Sequence, residues 1–161
     1  MGSGKSTVAR ILSEKLQLPD IDLDDYIEHK EGMSIPEIFE TKGEIYFRKM
    51  ENFYLNELMV SDTSFVLASG GGTPCYANNM DIILKESDSY YLKAAIQTLK
   101  ERLIGEQDNR PLIADLSEEQ LDEFIAKHLF ERRDFYERAD FVISIDRKSP
   151  IEIASEILHS R

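Results

Sequence analysis

The chain opens Met1-Gly-Ser-Gly-Lys-Ser-Thr7 and runs straight into Val8-Ala-Arg-Ile-Leu-Ser-Glu-Lys-Leu16. Glycines followed by Lys5, Ser6 and Thr7 form most of a phosphate-binding P-loop. Their backbone N–H groups can curl around phosphate oxygens, and the helix that follows points its positive dipole end at the same place. In such a loop Lys5 reaches the β- and γ-phosphates and Ser6 coordinates Mg²⁺. A glycine-rich N-terminal tail is the competing reading. It is opposed by the amphipathic stripe of Val8, Ile11, Leu12 and Leu16, which places a helix over Lys5–Leu18 directly after the loop.

Outward from this helix, short apolar runs alternate with helical patterns. Pro19–Leu23 and Ser64–Ser69 read as extended, the latter as a parallel strand buried on both faces. Ser89–Leu92 and Phe141–Ile145 are further strands. Capping boxes at Ser34-Ile-Pro-Glu37, Ser117-Glu-Glu-Gln120 and Ser149-Pro-Ile-Glu152 open helices. The first of these helices is short and breaks near Lys42-Gly43, and a longer one runs from Glu44 to Met59. Helices are also expected over Asn79–Lys85 and Ala94–Ile104. The alternation predicts one α/β domain with a doubly wound parallel sheet.

The full pattern G-x-x-x-x-G-K-[ST] places a glycine, preceded by a strand, ahead of Met1. We therefore expect Met1 to be an internal methionine of a longer chain, with a start roughly 8 residues upstream.

The 161 residues carry 31 Asp+Glu against 19 Lys+Arg, a net charge of −12. That balance argues against nucleic acid or an anionic membrane surface as partner. Cys75 is the only cysteine, so there is no intramolecular disulfide and no cysteine-built zinc site. No signal core and no membrane-length apolar run is visible, and a cytoplasmic domain is expected. His29, His128 and His159 share no metal-ligand spacing.

Several residues stand out against this background. Asp22 and Asp24 close the first extended segment, where alternation puts both carboxylates on one side. One could hold Mg²⁺ through water and the other accept a proton from a hydroxyl; a solvated acidic turn is the alternative. Arg48, one past Phe47, can project beside the apolar stripe and grip a carboxylate bidentately, or pair on the surface with Glu44 or Glu51. Gly70-Gly71-Gly72 follows a strand, where ligands approach the backbone in open α/β sheets. Arg110 is the one basic residue between Arg102 and Lys127 in an acidic stretch, as in a lid that closes over a phosphate. Arg132 and Arg133, with Tyr136 and Arg138, follow on the next helix and could complete an anion clamp or offset Glu131 and Asp134.

In this order the motifs resemble those of the shikimate kinases, relatives of the nucleoside monophosphate kinases. They are Gly2-Ser-Gly-Lys-Ser-Thr7, Asp22-x-Asp24-x-x-Ile-Glu28, Ser34-Ile-x-Glu-Ile-Phe39, Gly43-Glu-x-x-Phe-Arg48, Gly70-Gly-Gly72, Arg110-Pro-Leu112 and Arg132-x-x-x-Tyr136. The resemblance implies ATP-dependent phosphorylation of the 3-hydroxyl of shikimate, on the route to chorismate and aromatic amino acids. It implies a three-layer α/β/α fold whose parallel sheet has the order 2-3-1-4-5, with strand 1 missing from this chain. Residues 1–161 would form one domain acting as a monomer, with substrate-binding helices over about 34–59 and a lid over about 105–117.

By the same resemblance, Asp24, Arg48, Gly71, Gly72 and Arg132 bind shikimate, and Asp24 orients the hydroxyl and serves as base. Lys5 and Arg110 neutralise the phosphoryl group in flight. Gly2, Ser3, Gly4, Lys5, Ser6 and Thr7 hold the ATP phosphates, and Ser6 binds Mg²⁺ with Asp22 in support. Arg102 and Lys148 match adenine-holding positions. Another P-loop kinase of the gluconate or nucleotide type, or a non-catalytic nucleotide-binding protein, are the alternatives.

Overall fold

The structure, a computed structural model, describes residues 2–105 and 113–160. Helix α1 (Lys5–Leu16) leads into β1 (Asp20–Asp22), α2 (Leu23–Glu31), α3 (Ile35–Thr41) and α4 (Glu44–Met59). Then come β2 (Val66–Ala68), a 3₁₀ turn (Thr73–Cys75), α5 (Asn79–Glu86), β3 (Tyr90–Lys93) and α6 (Ile96–Ile104). The chain ends with α7 (Glu118–Tyr136), β4 (Phe141–Ser144) and α8 (Pro150–His159). Both sides of all three expected capping boxes form: Ser34 with Glu37, Ser117 with Gln120 and Ser149 with Glu152.

Helix α2 is an addition to the sequence reading. Its two buried apolar residues, Leu23 and Ile27, are too few to make a visible stripe. It begins because the Asp22 side chain accepts the Asp24 N–H at 3.1 Å, an N-cap with acidic residues in the first turn.

The strands form two parallel pairs. In one, Asp20 lies opposite Val66 and Asp22 opposite Ala68; in the other, Tyr90 lies opposite Phe141 and Lys93 opposite Ser144. These are places 2-3 and 4-5 of the expected order. Among the described residues no strand joins the pairs. Helices α1 and α8 bridge them, through a core of Val8, Leu12, Leu92, Ile143, Ile153 and Ile157 that also touches Val66. Between β2 and β3 lies a cleft of about 830 Å³, walled by Leu12, Leu67, Tyr91, Leu92 and Ile157 among others. The cleft corrects the reading of β2 as a strand covered on both faces. Val66 and Leu67 are only half-buried, because the space beside them is open.

Two other cores complete the molecule. Leu23, Ile27, Ile38, Phe47, Leu55 and Leu58 knit α2, α3 and α4 into one helical unit. Leu99, Leu103, Ile113, Leu121 and Ile125 join α6 to α7. Among the described residues no helix is long and apolar enough to cross a membrane.

The cleft separates the two parallel strand pairs and presents Leu12, Leu67 and Leu92 among its lining residues. An extended apolar segment ending in glycine, joined ahead of Met1, is expected to seat there by strand pairing and raise the midpoint of thermal unfolding. A midpoint unchanged by that addition would sink this expectation.

Candidate active site

Three groups of residues meet at the carboxyl ends of the strands. The first is the N-terminal loop. Gly2 and Gly4 have φ of 70° and 80°, a left-handed backbone that glycine adopts without strain. Gly4 is the N-cap of α1 and has no side chain to offer the first-turn N–H groups, so these face a concave loop suited to an anion. Arg102 from α6 lies across the loop, donating to the Ser3 carbonyl at 3.1 Å and the Gly2 carbonyl at 3.5 Å. Ser6 Oγ donates to Asp22 Oδ2 at 2.7 Å.

The second group surrounds Asp24. Asp22 ends β1, but Asp24 sits in the first turn of α2, so the two carboxylates are not arranged by strand alternation. They are brought together by the cap. Asp24 lies against the glycine turn after β2: a Cβ at Gly70 would come within 3.1 Å of Asp24 Oδ1. Its pKa is pushed up to about 6, first by burial and then by the charges of Asp22 and Glu51, against the pull of the Lys5 ammonium. Lys5 and Asp24 therefore act on one another across the site.

The third group is built on Glu51. This carboxylate sits on the inner face of α4 with 1% of its surface exposed. It accepts from Arg48 Nη1 at 3.0 Å and from Thr73 Oγ1 at 2.7 Å. Arg48 also pairs with Glu44 at 3.4 Å, so both partners named from the sequence engage it. Yet Arg48 is no surface residue: its side chain is 17% exposed, and a Cβ at Gly72 would fall 2.8 Å from both terminal nitrogens. Glycine at 72 is needed for this close approach, not for an unusual φ.

Arg132 reaches the same region from α7. Both it and Arg48 pull down the pKa of Cys75, which burial pushes up. Tyr136, one turn beyond Arg132, donates to the Gly71 carbonyl at 2.6 Å. Thr73 and the buried Asn79, whose amide donates to the Thr73 carbonyl at 2.8 Å, were not singled out from the sequence, and Glu51 was named only as a surface partner of Arg48. The signal was there for Glu51: it falls four residues after Phe47 and three before Tyr54, on the apolar stripe, where a carboxylate needs a partner.

Lys148 stands apart, in the turn before α8, with its ammonium paired to Glu156. Arg110 lies outside the described residues. Within the expected lid segment of about 105–117, Ile113 is fully buried against α6 and α7.

Comparison with known proteins gives one answer. A family model described as Shikimate kinase matches residues 1–160. The chain is 48% identical over 160 residues to a shikimate kinase of Flavobacterium johnsoniae, covering 98% of this chain and 92% of the relative. It is 45% identical to that of Flavobacterium psychrophilum, with 98% and 92% covered. Among solved structures, shikimate kinase from Acinetobacter baumannii in complex with shikimate matches with a TM-score of 0.88 at 34% identity, covering 99% of this chain and 87% of that one. Shikimate kinase from Bacteroides thetaiotaomicron matches with a TM-score of 0.86 at 29% identity, with 99% and 92% covered.

Because the Glu51 charge is among those that raise Asp24, the titration of Asp24 should respond to its removal. We expect a carboxyl titration of Asp24 by carbon NMR with a midpoint near 6, moving down in Glu51→Gln. A midpoint in the ordinary carboxylate range in the parent chain would contradict the burial described above.

Proposed function

The chain belongs to the shikimate kinase family, and from that premise we propose how its own residues carry out the transfer. The reaction moves the γ-phosphoryl group of ATP to the 3-hydroxyl of shikimate, a step toward the aromatic amino acids. The observation that carries the assignment of roles is the meeting of the half-buried Asp24 and Arg48 on the Gly70–Gly72 turn, Asp24 against Gly70 and Arg48 against Gly72.

Arg48 and Arg132 grip the shikimate carboxylate. Arg48 suits this because Glu51 fixes its rotamer, so little side-chain entropy is lost on binding. Gly71 and Gly72 bring their backbone against the ring. Asp24 accepts a hydrogen bond from the reacting hydroxyl and takes its proton. A base with a pKa near 6 is ionised at neutral pH and is still a better proton acceptor than an ordinary aspartate. Lys5, in the P-loop with Gly2, Ser3, Gly4, Ser6 and Thr7, holds the phosphates and offsets the charge that develops on them. Arg110 adds a second cation from the 105–117 lid. Arg102 flanks the nucleotide beside the P-loop, and Lys148 reaches it after releasing Glu156.

The Ser6 hydroxyl and the Asp22 carboxylate, 2.7 Å apart beside the P-loop, are hard oxygen donors of the kind Mg²⁺ uses alongside water and phosphate. When bound there, Mg²⁺ would neutralise phosphate charge. Every proposed side chain comes from one chain, which supports a monomer as the working unit. The net charge of −12 speaks against nucleic acid or an anionic membrane as partner, and we place the protein in the cytoplasm as a proposal.

A coupled ADP-release assay offering shikimate, gluconate and nucleoside monophosphates is expected to show turnover with shikimate. Asp24→Asn, Arg48→Ala and Arg132→Ala should each lower shikimate turnover, Asp24→Asn by about 10²–10⁴-fold, with ATP binding kept. Near-normal turnover in all three would show that the substrate site lies elsewhere. In the parent chain kcat/KM for shikimate should fall as pH drops through about 6, because Asp24 of the free enzyme takes up its proton there. A profile flat down to pH 5 would remove Asp24 as base.

A further inference from the structure

Tyr136 ties together two of the elements that we assign to the substrate. Its hydroxyl donates to the Gly71 carbonyl at 2.6 Å. The Arg132 guanidinium, one turn earlier on α7, acts on the same phenol and pulls its pKa down against burial. Its ring lies 5.0 Å from that of Tyr91 on β3, which braces it from the sheet side. Burial raises the phenol's pKa, so the proton stays in place and the hydroxyl is the donor to the Gly71 carbonyl, with the guanidinium charge beside it. A cation beside a phenol polarises its O–H and strengthens the bond the hydroxyl donates.

The consequence reaches the next residue. In a trans peptide the carbonyl and the following N–H point in opposite directions. Holding the Gly71 carbonyl toward α7 therefore turns the Gly72 N–H away from α7. Gly72 is also the residue on which the Arg48 guanidinium lies. The backbone bonds of this turn run from Thr73 to Gly70 and from Cys75 to Gly72, so among the described residues the Gly72 N–H serves no backbone carbonyl.

We propose that Tyr136 is a positioning residue that locks the Gly71–Gly72 peptide and the Arg132 guanidinium in one arrangement, so that an amide donor and a cation meet the substrate anion together. The proposal rests on the reading of Arg48 and Arg132 as the carboxylate grip. Tyr136 acts through these groups and not on the reacting atoms, so its loss should appear in binding of the acceptor.

The test is steady-state kinetics and thermal unfolding of Tyr136→Phe, which keeps the ring and removes one hydroxyl. The expected result is a KM for shikimate raised about tenfold, with kcat and the KM for ATP within about twofold of the parent. An unchanged shikimate KM overturns the proposal. So does a rise of both KM values together with a large fall in the unfolding midpoint, since that is the mark of a packing role. Arg132→Ala, measured in parallel, separates the two readings. If it raises the shikimate KM while Tyr136→Phe does not, only the role of Tyr136 falls; if it leaves that KM unchanged, the grip itself falls and this proposal with it. In the double variant the two losses are expected not to multiply, as befits two groups that act on one another.

Discussion

A carboxylate cut off from water has to find its partners inside the protein. Glu51 is that group, and the candidate site is arranged around its needs. One oxygen takes Arg48 and the other takes Thr73. Arg48 is thereby laid on Gly72, and Thr73 is held from its other side by Asn79. One buried charge thus sets α4, the 3₁₀ turn and α5 in register. It reaches further, because its field helps to keep the Asp24 proton in place up to a pH of about 6. A side chain that touches no reacting atom in our scheme sets both the cation that would hold the substrate and the base that would activate it.

The nucleotide side follows a different rule. There the backbone does the work, through two glycines in left-handed conformation and a helix whose first turn is offered no capping side chain. Ser6 and Asp22 join this loop to the end of β1, and the cap that Asp22 makes for α2 carries Asp24 into place. Helix α1 is therefore a common wall. It carries Lys5 and Ser6 at one end, and along its length its apolar face packs across both strand pairs and the cleft between them.

The strong acidity of the chain is compatible with an anionic ligand because a few cations are placed where water is scarce. Arg48 lies among its own carboxylates, Arg132 lies beside the half-buried Tyr136 phenol, and Lys5 pulls down the pKa of the nearby Asp24. At short range and low dielectric these neighbours outweigh a net charge spread over the surface.

By itself the sequence determined what depends on neighbours along the chain. The P-loop, the three capping boxes, the break between α3 and α4 and the strand–helix alternation were legible because each is a local pattern of a few residues. Arg48 and its two glutamates were legible as a pairing on one helix. Tertiary structure decided the rest. Helix α2 carries too few apolar residues to announce itself, and only its packing on α4 gives it a core. Strand β2 reads as fully covered, yet stands beside a cleft, since coverage depends on what lies across from it. Glu51 looks like one more surface acid until the faces of α4 and the glycine turn close over it. Its place on the apolar stripe hints that it turns inward, but Thr73 and the glycine turn that enclose it come from elsewhere in the chain, and no spacing along one helix contains them.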